Sequence, residues 1–381
     1  MTAPGSELFV SCGEASGDVY ASELIAELSK RRPDLKAFGL GGARAQAVGL
    51  DAVATLDDVS VIGLVEVVGK LPALSRTMRK LVVACRERRP TAAVLIDFSG
   101  FHLRLAKKLK ALGIPIIYYV SPQIWAWRAG RIRAIQALVD EMLVILPFER
   151  VIYEEAQVPV KFVGHPLVDL VRRTEAREGF CERHGLDPER PYIMMLPGSR
   201  RREVELHLPS FSAAVDHLSR SHADLQFVLS QAETVSMALV RDILGASASR
   251  ITLLEGSPYD GLSYASASVV ASGTATVEAA ILESPMVVVY RAGALSYALG
   301  RRFVDVPFFS MVNLIAERAL VPELEQHEVT GENIAAHIAR LLEGDNADRQ
   351  REGLRAVKKA LGGGGASGRA AEAVLRHFAL S

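Results

Sequence analysis

Short apolar runs separated by stretches of helical period constrain this chain more than any other feature. The runs fall at 7–11, 36–40, 93–97, 114–120, 142–146 and 160–163. A second series follows at 192–196, 226–230, 251–254, 268–271 and 286–290. Between them lie segments such as Leu74, Met78, Leu81, Val82 and Cys85, spaced by helical turns. A strand that is apolar on both sides must be covered on both faces. Helices between successive strands give that cover and make the strands parallel. The pattern therefore predicts an α/β fold with two Rossmann-like, doubly wound parallel-sheet domains. The chain has 381 residues, enough for two domains of about 150 residues each.

The stretch from Pro166 to Pro191 is charged, poor in strand signal and bounded by prolines, and is read as the linker. The expected domains are 1–168 and 169–360. Residues 361–368, L-G-G-G-G-A-S-G, cannot sit comfortably inside a helix, whereas Arg369 to Phe378 has helical period. Segment 361–381 thus reads either as a Gly-rich linker to a terminal helix packing back on the first domain, or as a loose tail.

Acids and bases balance at 44 each, which removes the usual ground for a nucleic-acid partner. Cys12, Cys85 and Cys181 are odd in number and far apart, which fits a reducing compartment without disulfides. No charged-then-apolar leader and no long uncharged apolar run occurs, so a cytoplasmic protein without a spanning helix is expected.

The first apolar run leads into C-G-E-A-S-G-D at 12–18. Gly13 and Gly17 permit a close approach to the backbone, yet their G-x-x-x-G spacing is not the dinucleotide fingerprint. In the second half, I-M-M-L-P-G-S-R at 193–200 ends a strand in a turn. Gly198 turns the chain there, and Ser199 and Arg200 follow at the strand's carboxyl end, where doubly wound folds bind ligands. Arg200 can grip phosphate with its planar fork. The run V-V-A-S-G-T-A-T-V-E at 269–278 is a second such place. Ser272 or Thr274 can cap a helix there, and Ser272, Gly273 and Thr274 offer N–H groups to an anion. Glu278 lies one turn beyond Thr274, where a carboxylate can receive ribose hydroxyls. A nucleotide diphosphate fits both stretches. No P-loop, C-x-x-C, H-E-x-x-H, G-x-S-x-G or D-x-D is present, so no metal and no cofactor is expected.

Several longer motifs occur in order: G-E-A-S-G-D at 13–18, V-I-G-L-V-E-V at 61–67, Y-V-S-P-Q-I-W-A-W-R at 119–128, L-P-F-E at 146–149, F-V-G-H-P at 162–166, L-P-G-S-R at 196–200, A-S-G-T-A-T-V-E at 271–278 and N-L-I-A at 313–316. With these the chain resembles the lipid-A-disaccharide synthases, glycosyltransferases of the two-Rossmann GT-B architecture, over nearly its whole length. The resemblance implies transfer from UDP-2,3-diacylglucosamine to 2,3-diacylglucosamine 1-phosphate through a β-1,6 bond, with inversion and release of UDP. UDP is then part of a substrate, not a cofactor. Inversion needs one base for the acceptor hydroxyl and charge stabilisation at the leaving phosphate.

Asp97, the polar end of the run A-V-L-I-D, matches the family's catalytic aspartate; a turn aspartate is the plainer reading. The family follows it with proline, aspartate, phenylalanine and asparagine, where this chain has Ser99, Gly100, Phe101 and His102. That leaves Asp97 without a second carboxylate and makes His102 either a local partner or a surface histidine. The resemblance also places Gly13, Glu14, Ser16 and Gly17 at a sugar substrate. Asp18 either shares that role or caps the first helix. Gln123, Trp125, Trp127 and Arg128 are placed beside the acceptor, the two tryptophans reading equally well as packing anchors, and Asn313 near the nucleotide.

Both substrates carry acyl chains. Segment 61–90 holds seven basic residues, among them Lys70, Arg76, Arg79 and Lys80, against Glu66 and Glu87. The apolar Val61, Ile62, Leu64, Val65, Val67, Val68 and Leu71 lie just before most of them. That pairing fits a peripheral protein on an anionic membrane, the inner face of the cytoplasmic membrane; an ordinary core helix with a solvated basic face is the alternative. The rival functions are another two-Rossmann UDP-sugar enzyme, such as a UDP-N-acetylglucosamine 2-epimerase, and a non-catalytic lipid- or nucleotide-binding protein. Oligomeric state is not legible.

Overall fold

The computed structural model describes residues 6–59, 66–122, 129–232, 235–293, 297 and 306–379, with the helix backbone alone at 66–71. The chain forms two compact units, Met1–Pro166 with Gly362–Ser381, and Leu167–Leu361.

The first unit holds β1 (Glu7–Cys12), α1 (Ala15–Arg31), β2 (Lys36–Gly41), α2 (Ala43–Ala47), β3 (Asp51–Thr55), α3 (Glu66–Arg88), β4 (Ala92–Ile96), α4 (Ser99–Lys110), β5 (Ile116–Tyr119), α5 (Ile132–Leu138), β6 (Glu141–Val144), α6 (Glu149–Glu155) and β7 (Val160–Phe162). Its sheet runs β3-β2-β1-β4-β5-β6-β7, with every pair parallel. The central strands β1, β4 and β5 are buried throughout, as their largely apolar sequences require. Helix α3 turns Leu81 and Cys85 into the core, with Leu74, Met78 and Val82 packed against it. Arg76, Arg79 and Lys80 lie on its exposed side.

The second unit holds α7 (Leu167–Leu170), α8 (Arg177–His184), β8 (Tyr192–Leu196), α9 (Arg201–Ser221), β9 (Gln226–Gln231), α10 (Met237–Leu244), β10 (Ile251–Glu255), α11 (Tyr259–Tyr264), β11 (Ala267–Ala271), α12 (Thr274–Ile281), β12 (Met286–Tyr290), α13 (Met311–Ala316), β13 (Glu323–Glu325), α14 (Gly331–Leu342) and α15 (Asn346–Ala360). Its parallel sheet runs β10-β9-β8-β11-β12-β13.

Two expectations change, and one open alternative closes. Segment 166–191 is not a linker: it carries α7 and α8, and Phe180 and Cys181 are buried. Its charges are spent locally, with the Arg177 guanidinium donating to the carbonyls of Pro188, Arg190 and Tyr264. The edge strands β3 and β13 have no counterpart among the predicted runs; they are short and half-exposed, so no continuous apolar run marks them. Of the two readings of the tail, the loose one does not hold, and the glycines form a fixed turn into a packed helix. The terminal helix α16 (Ala366–Ala379) packs on α1 within the first unit and buries Ala366, Ala370, Ala371, Ala373 and Val374. Arg369 donates to the carbonyls of Val163, Gly363 and Gly364, which holds the glycine turn in place. Arg376 and His377 both reach Glu141 at the start of β6.

Candidate active site

Each sheet reverses its strand order once, between β1 and β4 in the first unit and between β8 and β11 in the second. A crevice opens at such a point beyond the carboxyl ends of the two strands. In the first unit Cys12 stands opposite Ile96, so the loops beginning at Gly13 and Asp97 leave the sheet side by side. Gly13 is small for a reason the sequence did not show. A Cβ there would lie 2.1 Å from Cδ1 of Phe98, so the glycine makes room for a neighbouring ring. Gly17 packs similarly, its Cβ position 3.1 Å from Cβ of Cys12.

Glu14 is exposed at the N-cap of α1, and Ser16 is half-buried in its first turn. Asp97 is half-buried, and its carboxyl is pushed up to about 6. Burial is the main cause and the Glu14 charge the second, opposed by a bond from the Phe98 N–H. Asp97 therefore does have a neighbouring carboxylate, from another loop instead of its own. Asp18 performs neither expected role. It is buried and accepts from the N–H groups of Gly42 (2.7 Å), Arg44 (3.1 Å) and Ala45 (3.2 Å), so it caps α2 rather than its own helix.

Asp97 and Phe98 both adopt left-handed backbone, at φ 51° and 46°. A non-glycine residue there costs on the order of 1–2 kcal/mol. Three bonds hold the turn. The Asp97 N–H donates to the Tyr119 carbonyl at 3.0 Å. The Asp97 carbonyl accepts from the Tyr118 hydroxyl at 2.6 Å and from Nδ1 of His102 at 2.7 Å. His102 is wholly buried, not a surface residue, and burial lowers it to about 4, so the ring is neutral. With Nδ1 donating, Nε2 is the acceptor and receives the Ser11 hydroxyl at 2.9 Å. Arg131 donates to the Ser99 hydroxyl at 3.0 Å at the start of α4.

In the second unit the turn after β8 needs Gly198, whose φ is 119°. Ser199 and Arg200 follow, both exposed. Their N–H groups donate to Oε2 of Glu203 at 3.0 and 3.2 Å, and Nη1 of Arg200 meets Oε1 at 3.2 Å. Glu203 thus occupies, with its own carboxylate, an anion position at the start of α9. After β11, neither Ser272 nor Thr274 caps α12. Gly273 holds the N-cap without a side-chain bond, and the Ser272 hydroxyl donates to the Phe309 carbonyl at 3.1 Å. Thr274 is exposed at the first turn. Glu278 accepts from the Tyr259 hydroxyl at 3.1 Å, and its burial raises it against that bond.

Asn313 is fully committed to structure. Its amide donates to the Val321 carbonyl (2.9 Å) and Glu323 Oε1 (2.8 Å), and its oxygen accepts from the N–H groups of Leu320 and Val321. No hydrogen-bonding atom of its side chain is left to face a nucleotide. Gln123, Trp125, Trp127 and Arg128 lie outside the described residues, as do Val61, Ile62, Leu64 and Val65, and the side chains of Val67, Val68, Lys70 and Leu71. Among the described residues no group of three or more His, Cys, Asp or Glu could hold a metal ion. Also among these residues, no helix is long and apolar enough to cross a membrane.

Sequence reasoning missed Ser11, Tyr118, Arg131, Glu203 and Tyr259. Only Glu203 left a sequence signal, three residues after Arg200 at a helix start. The others reach the site through strand order.

The family profile described as lipid-A-disaccharide synthetase matches residues 8–374. This chain belongs to that family. The lipid-A-disaccharide synthase of Solibacter usitatus (strain Ellin6076) is 43% identical over 97% of this chain and 96% of its own length. That of Myxococcus xanthus (strain DK1622) is 44% identical over 98% of both chains. Family membership makes the chain a glycosyltransferase. Among solved structures, a UDP-GlcNAc 2-epimerase from Neisseria meningitidis superposes with a TM-score of 0.68 at 14% identity, covering 97% of this chain and 100% of that one. The calicheamicin glycosyltransferase superposes at 0.63 and 15%, covering 99% of each. At such identities these neighbours show the shared two-sheet fold and nothing about the reaction, so the family decides between transferase and epimerase.

Proposed function

We propose that the protein joins UDP-2,3-diacylglucosamine to 2,3-diacylglucosamine 1-phosphate by a β-1,6 bond and releases UDP, with inversion at the donor's anomeric carbon. The observation that carries the mechanism is Asp97, a half-buried carboxyl beside Glu14 whose proton affinity is raised to about 6. A base in that range is ionised at neutral pH yet basic enough to accept a hydroxyl proton in the transition state. Asp97 takes the acceptor 6-hydroxyl proton as the oxygen attacks. Glu14, in the exposed loop next to it, keeps the carboxylate from becoming too weak a base. Gly13, Ser16 and Gly17 shape that loop.

The second unit receives UDP. Ser199, Arg200, Ser272, Gly273 and Thr274 surround the carboxyl ends of β8 and β11, where N–H groups and a guanidinium can stabilise the charge on the departing diphosphate. A phosphate there displaces the Glu203 carboxylate from the N–H groups of Ser199 and Arg200. Glu278, with one oxygen on Tyr259, receives ribose hydroxyls. Asn313 acts by clamping Val321 and Glu323 rather than by touching the nucleotide.

The exposed Arg76, Arg79 and Lys80 of α3 support docking on an anionic membrane surface, where the lipid substrates reside. A UDP-release assay tests the proposed reaction. Release should require both lipid substrates; turnover of UDP-N-acetylglucosamine alone would instead mark an epimerase.

A further inference from the structure

The reading of Asp97 as base leaves a buried network unexplained. Two residues from different elements, Tyr118 of β5 and His102 of α4, converge on one backbone oxygen, the Asp97 carbonyl. Both side chains are fully buried. Neither touches the Asp97 carboxylate by a hydrogen bond; each acts on the main chain of a residue in left-handed conformation. Ser11, on β1, extends the chain of bonds by donating to Nε2 of His102. That bond requires the neutral tautomer in which Nδ1–H points to the carbonyl, and complete burial keeps the ring in it. Two elements of the first unit, α4 and β5, therefore meet at this one carbonyl, and β1 is tied to it through His102.

We propose that Tyr118 and His102 are positioning residues of the transfer reaction: by sharing the Asp97 carbonyl they hold Asp97 and Phe98 in the left-handed turn that keeps the Asp97 carboxylate half-buried beside Glu14. A turn of this kind relaxes towards ordinary backbone when its ties are cut. The carboxylate then moves, and displacement of a reacting group by about 1 Å can cost a hundredfold in rate. Relaxation also admits water to the carboxylate. The groups facing Asp97 are Glu14 from the start of α1, the Phe98 N–H, and Tyr118 of β5, with Arg131 beyond Tyr118. His102 is neutral throughout the range of interest.

The inference rests on Asp97 being the base, and one set of variants separates the two ideas. The full-length enzyme is assayed for kcat, KM and the pH dependence of kcat, with thermal melting as a check on folding. Asp97→Asn tests the base itself: wild-type activity in that variant overturns the reading of Asp97. With Asp97→Asn inactive, Tyr118→Phe is expected to lower kcat about tenfold, to leave the donor KM within about twofold, and to move the acid limb of kcat to lower pH as the carboxylate gains water. His102→Leu should act in the same direction. His102→Asn should recover most of the loss, because its amide N–H stands where Nδ1–H stands relative to Cβ. Wild-type kcat and an unmoved acid limb in Tyr118→Phe overturn the positioning role. So does an Asn variant no better than Leu, which would show that only the volume of the ring matters. If Tyr118→Phe melts so low that its rate reflects lost fold, the decision passes to His102→Asn against His102→Leu, compared at equal folded fraction.

Discussion

Replacing Asp97 by asparagine should remove most of the activity and stabilise the protein at the same time. The folded carboxyl is raised from 3.8 to about 6 by burial and by Glu14, so above pH 6 the fold carries an ionised group it disfavours. At 1.36 kcal/mol per unit, the displacement corresponds to about 3 kcal/mol, a ceiling because the group is only half-buried. Asparagine has nearly the same shape, no charge, and tolerates the left-handed φ of 51° at this position. The sign follows from proton binding. Between about pH 4 and 6 the folded state holds this proton more often than the unfolded state, so wild-type stability from this group falls as pH rises through that window and is flat above it. The advantage of Asp97→Asn should therefore be full at pH 8, shrink as pH falls below 6, and vanish near pH 4. Denaturant titration of both proteins across that range, followed by a probe in the first unit, measures it. A variant less stable than wild type at pH 8, or a difference that does not change with pH, would refute the reasoning. The same variant should lose about a hundredfold or more in kcat, the usual contribution of a general base.

Arg200→Ala should raise the donor KM and weaken UDP binding at least tenfold while leaving stability nearly unchanged, since the side chain is 76% exposed and its pair with Glu203 is a surface one; calorimetric UDP titration and melting curves check both. Gly13→Ala places a methyl 2.1 Å from the Phe98 ring, so Phe98 and its left-handed turn must move; a loss of about 1–3 kcal/mol in stability and a clear loss of kcat are expected, read by denaturation and by turnover. Asn313→Ala removes four hydrogen bonds from a buried clamp and should cost about 2–4 kcal/mol in the second unit, with UDP binding weakened only as far as the fold is; proteolysis and UDP titration distinguish this from a direct contact.

The parts of the fold that were legible are those the physics writes locally. Strands β4 and β8 are buried throughout and read as unbroken apolar runs, and β1, β11 and β12 depart from that pattern at only one or two positions each. The edge strands β3 and β13 are half-exposed, and their residues keep no such record. Asp97 stood out because a charge closes an apolar run. His102, five residues on, was open to reading as a local partner, but Glu14 and Tyr118 were not, because they arrive from α1 and β5 and only the order β1-β4-β5 makes them neighbours of Asp97. Asp18 shows the same limit from the other side. Its place near the start of α1 suggested a cap for that helix, yet the carboxylate crosses to α2, 24 residues or more away along the chain. Gly13 was read as a place of close approach, and the structure sets the Phe98 ring against it. Asn313 lay in a motif shared with the family, and only the structure shows its amide spent on Val321, Leu320 and Glu323.

The most direct test of the account is the product itself. Purified protein would be incubated with UDP-2,3-diacylglucosamine and 2,3-diacylglucosamine 1-phosphate in detergent, and the lipid fraction analysed by mass spectrometry and proton NMR. The account predicts a tetraacyl disaccharide 1-phosphate with a β-1,6 linkage, formed one for one with UDP and lost in Asp97→Asn. An α-linked product, or free diacylglucosamine with no disaccharide from a folded protein that binds UDP, would contradict it.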